Sequence, residues 1–149
     1  MKNNIKKTIY EKAMKFKTKY PMTVAFRIKA HAKVAANFVD EDEKILYVFV
    51  CQKNFRSYEI ANTNIIILTD KRMVLATKRI VFGYFFKAVT QDMFNDLTIK
   101  NGLLWGKVII DTVNEKVVLS NIDPNALGEI ETNIMKVMIR ENKERINKK

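Results

Sequence analysis

One cysteine, one histidine, two prolines and four glycines in 149 residues leave several kinds of chemistry without their parts. The lone Cys51 excludes an intramolecular disulfide. Its place at the end of the apolar run Ile45-Leu-Tyr-Val-Phe-Val-Cys marks it as a small core residue in a reducing, cytoplasmic setting. His31 is the sole imidazole, so no Cys/His zinc ligand set exists, and its position outside the β-rich region predicts no Cys–His dyad. It reads as a helix-surface residue. Gly83, Gly102, Gly106 and Gly128 form neither a phosphate loop nor a dinucleotide fingerprint. No stretch of about 20 apolar residues is present to cross a bilayer. The basic start Met1-Lys-Asn-Asn-Ile-Lys-Lys is not followed by a signal-peptide apolar segment. Asp92 and Asp96 lack a partner motif for acid–base work and read as loop caps around Phe94-Asn95. The cluster Asp40-Glu-Asp-Glu lacks the glycine and distal glutamate of a calcium loop and reads as a solvated turn. No catalytic residue, metal or cofactor is expected.

Hydrophobic side chains are plentiful at 48%, enough for the core of one domain. So is positive charge, at a net +11. Its placement is uneven: residues 1–39 hold ten basic groups against Glu11 alone, for +9, while residues 40–135 hold 11 basic and 13 acidic groups, for −2. The remaining residues, 136–149, hold six basic groups against Glu141 and Glu144, for +4. A near-neutral body with basic ends points to an anionic surface as partner, whether lipid, nucleic acid or an acidic protein. Ile5, Ile9, Ala13, Phe16 and Tyr20 fall within an arc of roughly 80° on an ideal helix, which predicts an amphipathic helix ending before Pro21. The leading expectation is a helix packed on the domain with its lysines in solvent. An interfacial helix on anionic lipid is the second reading, and nucleic-acid contact the third. Lys6, Lys7, Lys12, Lys15, Lys17 and Lys19 are the candidate anionic-surface residues in either case.

Residues 22–39 carry two patterns. Val24, Phe26, Ile28, Ala30, Ala32 and Val34 alternate as in a strand, while five alanines and a stripe through Val24, Ile28, Ala35 and Val39 favour helix. Helix is the expectation, strand the alternative. β-runs follow at 45–51, 64–69, 72–79, 84–90, 96–100, 104–111 and 115–120, separated by tight breaks. Seven short strands predict an antiparallel sandwich or barrel. The longest gap, 52–63, is a polar loop with Lys53, Arg56 and Tyr58, and Lys71 and Arg72 sit at a hairpin turn, read as exposed charges in preference to an anion site. Trp105, Tyr84, Phe85 and Phe86 read as barrel core in preference to a base-stacking platform. Asp123-Pro124 caps a final helix whose stripe is Leu127, Ile130, Ile134, Val137 and Met138.

The run Ile67-Leu-Thr-Asp-Lys-Arg-Met-Val-Leu, the strand Gly102-Leu-Leu-Trp-Gly-Lys-Val and the helix start Ser120-Asn-Ile-Asp-Pro resemble bacterial pleckstrin-homology (PH) domains of the YokE-like type over about residues 40–140. The resemblance implies an α+β, mainly β, PH-like barrel of about seven antiparallel strands capped by a C-terminal helix, here with an N-terminal helical extension. It implies a scaffold for lipid head groups, peptides or proteins and not an enzyme. The region matching the lipid-binding members' first two strands offers Lys53 and Arg56, with Tyr58 nearby. The expected organisation is a basic helical segment at 1–39, a PH-like domain at 40–140 and a basic tail at 141–149. The expected function is a non-catalytic module, cytoplasmic and peripheral at the inner membrane face, that docks on an anionic surface, on a protein partner or on another copy of itself. A sequence-nonspecific nucleic-acid binder and a structural, oligomerising domain are the alternatives.

Overall fold

The computed structural model describes residues 2–53, 63–79 and 82–147. Two helices, α1 (Lys2–Lys19) and α2 (Ile28–Ala36), precede seven strands and a long C-terminal helix. The strands are β1 (Ile45–Lys53), β2 (Thr63–Thr69), β3 (Arg72–Lys78), β4 (Tyr84–Thr90), β5 (Phe94–Lys100), β6 (Gly106–Thr112) and β7 (Lys116–Ile122). The helix α3 spans Leu127–Asn147. All neighbours pair antiparallel in the order β4-β3-β2-β1-β7-β6-β5. The edge strands β4 and β5 are consecutive in the chain and joined only by the 3-10 turn Gln91–Met93. That short link brings the two edges together at one end, so the sheet must curl on itself. This is the expected PH-like architecture, with observed strand limits within about two residues of the predicted ones. A register irregularity between Phe94 and Asp96 lets β5 begin earlier than the alternation suggested.

The strands differ in how many faces they bury. β6 alternates buried and half-buried positions, whereas every residue of β2 is buried. A strand that reads Ile65-Ile66-Ile67-Leu68 without a polar break needs cover on both faces. α3 supplies one cover, packing against β2, β5 and β6 with Leu127, Ile130, Ile134, Val137 and Met138 all buried. The other comes from α1 and α2, which lie on β1 and on β2 and β3. Phe16 of α1 sets its ring 5.9 Å from that of Phe49 and 6.3 Å from that of Tyr47. Ile9 and Ala13 complete the buried stripe.

Only the second half of the predicted helix over 22–39 forms. Ahead of it the chain is extended, because Val24 N–H donates to Asn121 O at 2.9 Å and Phe26 N–H to Thr63 Oγ1 at 3.0 Å. The alternation of Val24 and Phe26 was a true extended signal, and the alanines belong to α2. Arg27, with φ 55°, makes the left-handed bend between the two. The same segment is fastened to the start of α3: Met22 N–H donates to Asp123 Oδ2 at 3.3 Å, and Asp123 N–H donates to Thr23 Oγ1 at 3.0 Å. Asp123 also accepts from Asn125 N–H at 3.0 Å, so one buried carboxylate serves both as the expected helix cap and as a clamp.

Because α1 is a wall of the core, Phe16→Ala should cost about 3–5 kcal/mol, the range for a large buried aromatic. Urea unfolding followed by circular dichroism measures this. A loss under about 1 kcal/mol would mean that α1 does not pack as described.

Candidate anionic-surface site

α1 spends its apolar stripe on the sheet and turns its lysines outward. Lys7 lies 4.0 Å from Glu11, both exposed, a pairing of little energetic weight. Lys17 Nζ donates to Pro21 O at 2.8 Å. Lys19 Nζ donates to Glu129 Oε1 at 2.7 Å and sits 5.3 Å from the centre of the Tyr20 ring. Lys6 is half-buried.

Lys12, Lys15 and Lys19 share one wall of an open pocket of about 240 Å³ between α1 and β1, closed by Phe16, Leu46, Tyr47, Val48 and Glu129. Tyr47 O–H donates to Glu129 Oε2 at 2.7 Å. Burial opposes the charge on Glu129, but hydrogen bonds from Lys19 and Tyr47 outweigh it and hold the carboxyl below its ordinary range. Burial, with the neighbouring carboxylate second, pushes the Tyr47 phenol up. Lys19 and Glu129 therefore neutralise each other. Lys12 and Lys15 have no acidic partner among the described residues and give the pocket a positive rim.

The other basic candidates lie apart from this pocket. Lys53 Nζ lies 5.1 Å from the centre of the Phe85 ring, with Arg79 5.6 Å from the same ring. Arg56, Tyr58 and the tail 148–149 lie outside the described residues. Lys71 pairs with Asp42 at 2.5 Å. Arg72 is no exposed turn charge: its Nε and NH2 donate to Glu43, at 2.8 Å for the shortest bond, and NH2 also donates to Phe38 O at 2.6 Å. Glu43, expected in a solvated turn, is a buried carboxylate that additionally accepts from Thr69 Oγ1 at 2.7 Å and from Asp40 N–H at 3.1 Å. Only Asp40, Glu41 and Asp42 of that cluster are exposed. The expected aromatic core also needs correction. Tyr84 and Phe85 are about half exposed on β4, an edge strand of the described sheet. Phe86 stacks on Phe38 at 4.0 Å.

His31 is likewise not a surface residue. It is 3% exposed, and its Nδ1 accepts from Lys78 N–H at 2.8 Å, tying α2 to the end of β3. Burial, reinforced by the nearby Arg27 charge, lowers its pKa to about 4. The partner Nδ1 accepts from is a backbone amide, so the neutral ring is the bound form. Cys51 is buried, and burial pushes its thiol up, away from nucleophilic use. No group of three or more His, Cys, Asp or Glu side chains among the described residues could hold a metal ion.

The family model for a bacterial PH domain matches residues 39–136. No curated protein and no solved structure matches the chain.

The His31 geometry sets a pH dependence. The folded state holds the imidazole neutral down to about pH 4, while the unfolded chain takes up its proton near pH 6.5. Stability should be level above pH 6.5 and fall as the pH drops from there toward 4, by up to about 3 kcal/mol. His31→Gln should flatten the fall in that window when unfolding is measured across pH. An unchanged slope would mean that the ring is not held neutral.

Proposed function

The chain belongs to the bacterial PH-domain family, and we propose that it is a non-catalytic interaction module that docks on an anionic membrane surface through the lysine face of α1. The observation that carries this reading is the division of labour on one helix. α1 is fixed to the sheet by Ile9, Ala13 and Phe16, and presents Lys12 and Lys15 without acidic partners around an open pocket. Contact is through charge, since the apolar stripe is buried and cannot enter lipid. Residues 1–39 then act as the docking layer and 40–140 as the scaffold, the expected tail from 141 beginning inside α3, which runs to Asn147, with the module peripheral at the cytoplasmic face of the membrane. Its place among PH domains of the YokE-like type is supported by the hairpin Leu68-Thr-Asp-Lys-Arg-Met, where Thr69 Oγ1 accepts from the N–H groups of Lys71 and Arg72, both at 3.1 Å. No helix among the described residues is long and apolar enough to cross a membrane.

Each lysine near an anionic surface contributes on the order of 1 kcal/mol. Full-length protein should therefore sediment with phosphatidylserine-containing vesicles and not with phosphatidylcholine alone at about 0.15 M salt, where the Debye length is near 8 Å. Lys12→Glu with Lys15→Glu should weaken that binding by about tenfold or more. Absence of vesicle binding together with retention on duplex DNA at the same salt would replace this reading with a sequence-nonspecific nucleic-acid binder. Absence of both, with a concentration-dependent dimer in sedimentation velocity, would replace it with self-association.

A further inference from the structure

The strongest unassigned feature is the tip of the β5–β6 hairpin. Leu103 is 99% exposed and Leu104 57%, the most exposed leucines among the described residues. They are held there by a tight turn and not by slack. A Cβ on Gly102 would lie 2.4 Å from Trp105 O, and one on Gly106 would lie 2.4 Å from a methyl of Leu127. Glycine at both shoulders thus lets the loop double back and seat against the first turn of α3, which leaves the two leucines at its apex. Trp105 is half-buried behind them, its Nε1–H donating to Met22 O at 2.8 Å, and Met22 is itself about half exposed. Lys100 and Lys107 stand at the base of the tip on β5 and β6, and Lys17 reaches Pro21 O beside Met22.

We infer that this tip is an apolar anchor that enters the headgroup region of an anionic bilayer, with Lys17, Lys100 and Lys107 as its basic collar. The shape decides for lipid over a protein partner. A stable protein interface takes about 800 Å² from each side, whereas two leucines at the apex of a narrow hairpin form a point with far less apolar surface. Such a point gains by immersion in a fluid phase, and the surrounding lysines lie at the level where acidic headgroups would meet them. Trp105, an amphipathic ring just behind the apex, suits the interface between headgroup and acyl chain. The inference rests on the membrane reading above and deepens it: α1 supplies attraction, and the hairpin supplies depth and orientation.

Trp105 is the only tryptophan, so its fluorescence reports on the tip alone. On adding phosphatidylserine-containing vesicles to the full chain, its emission should shift to the blue and become shielded from iodide, with no shift on phosphatidylcholine alone. Leu103→Ser with Leu104→Ser should weaken vesicle binding by about tenfold or more with the melting temperature lowered little, because Leu103 is fully exposed and Leu104 more than half exposed in the free protein. Sedimentation with vesicles at unchanged affinity in the double variant, with Trp105 emission unmoved in wild type, would overturn the anchor while leaving the charge-driven docking intact. Failure of the wild-type protein to sediment at all would overturn both.

Discussion

The rest of the structure depends on one constraint, which is that β2 is apolar on both faces. Burying Ile65 and Ile67 together with Ile66 and Leu68 removes four large side chains from water, at about 1.5–3 kcal/mol each. That gain is realised only if both sides of the strand are covered. α3 packs on β2, and so does α2, backed by α1 on the neighbouring β1, from residues that precede the family-matched span. The N-terminal segment is therefore a wall of the fold and not an appendage. A helix that is both amphipathic and strongly basic can either lie on lipid by its apolar face or lie on protein by it. Here α1 lays its apolar stripe on β1 beside α2, and the lysines are what remain.

Two buried carboxylates fix where that wall sits. Asp123 joins the segment after α1 to the start of α3, so that the two covers of the sheet are tied to each other across 100 residues of sequence. Glu43 does the corresponding work beyond α2, holding Arg72 while Arg72 holds Phe38 O, the carbonyl just past the helix. Breaking such a pair leaves a charge without its partner in a site where water cannot replace it, which is why these bonds select one geometry more than they add stability. His31 adds a third tie, from α2 to the end of β3.

The pattern of what could be read from the sequence follows from the range of the interactions. Strand alternation, the Asp123-Pro124 start and the α3 stripe are local signals, and each appears in the structure where the sequence places it. The Ile65-Ile66-Ile67-Leu68 run was read only as a strand, although its lack of a polar break is the pattern of a strand covered on both faces. Glu43, His31 and Arg72 were misjudged for the opposite reason. Their partners lie 29 to 47 residues away, and nothing in a window of sequence separates a solvated glutamate from one held by a distant arginine. Tyr84 and Phe85 failed similarly: alternation and aromatic content mark a strand, but not that it lies at the edge of the sheet. Of the candidate pocket, Lys12, Lys15 and Lys19 were among the six lysines singled out on the first helix but not set apart from Lys6, Lys7 and Lys17, and Tyr47 and Glu129 carry no sequence mark that would join them to it.

The presence of Glu129 in that pocket bears on the kind of anion the site suits. A compact, multiply charged head group must exchange its hydration for several convergent charged donors. The pocket offers Lys12 and Lys15, since Lys19 is occupied by a carboxylate that would itself repel phosphate. Two lysines three residues apart on a helix anchored from behind project from a fixed backbone, so little main chain is left to order on binding, while their long side chains stay adaptable. That arrangement reads the charge density of a surface more than the shape of one ligand. On the membrane reading proposed above, a diffuse anionic layer would meet it without entering the pocket, while the Lys19–Glu129 pair ties α1 to α3.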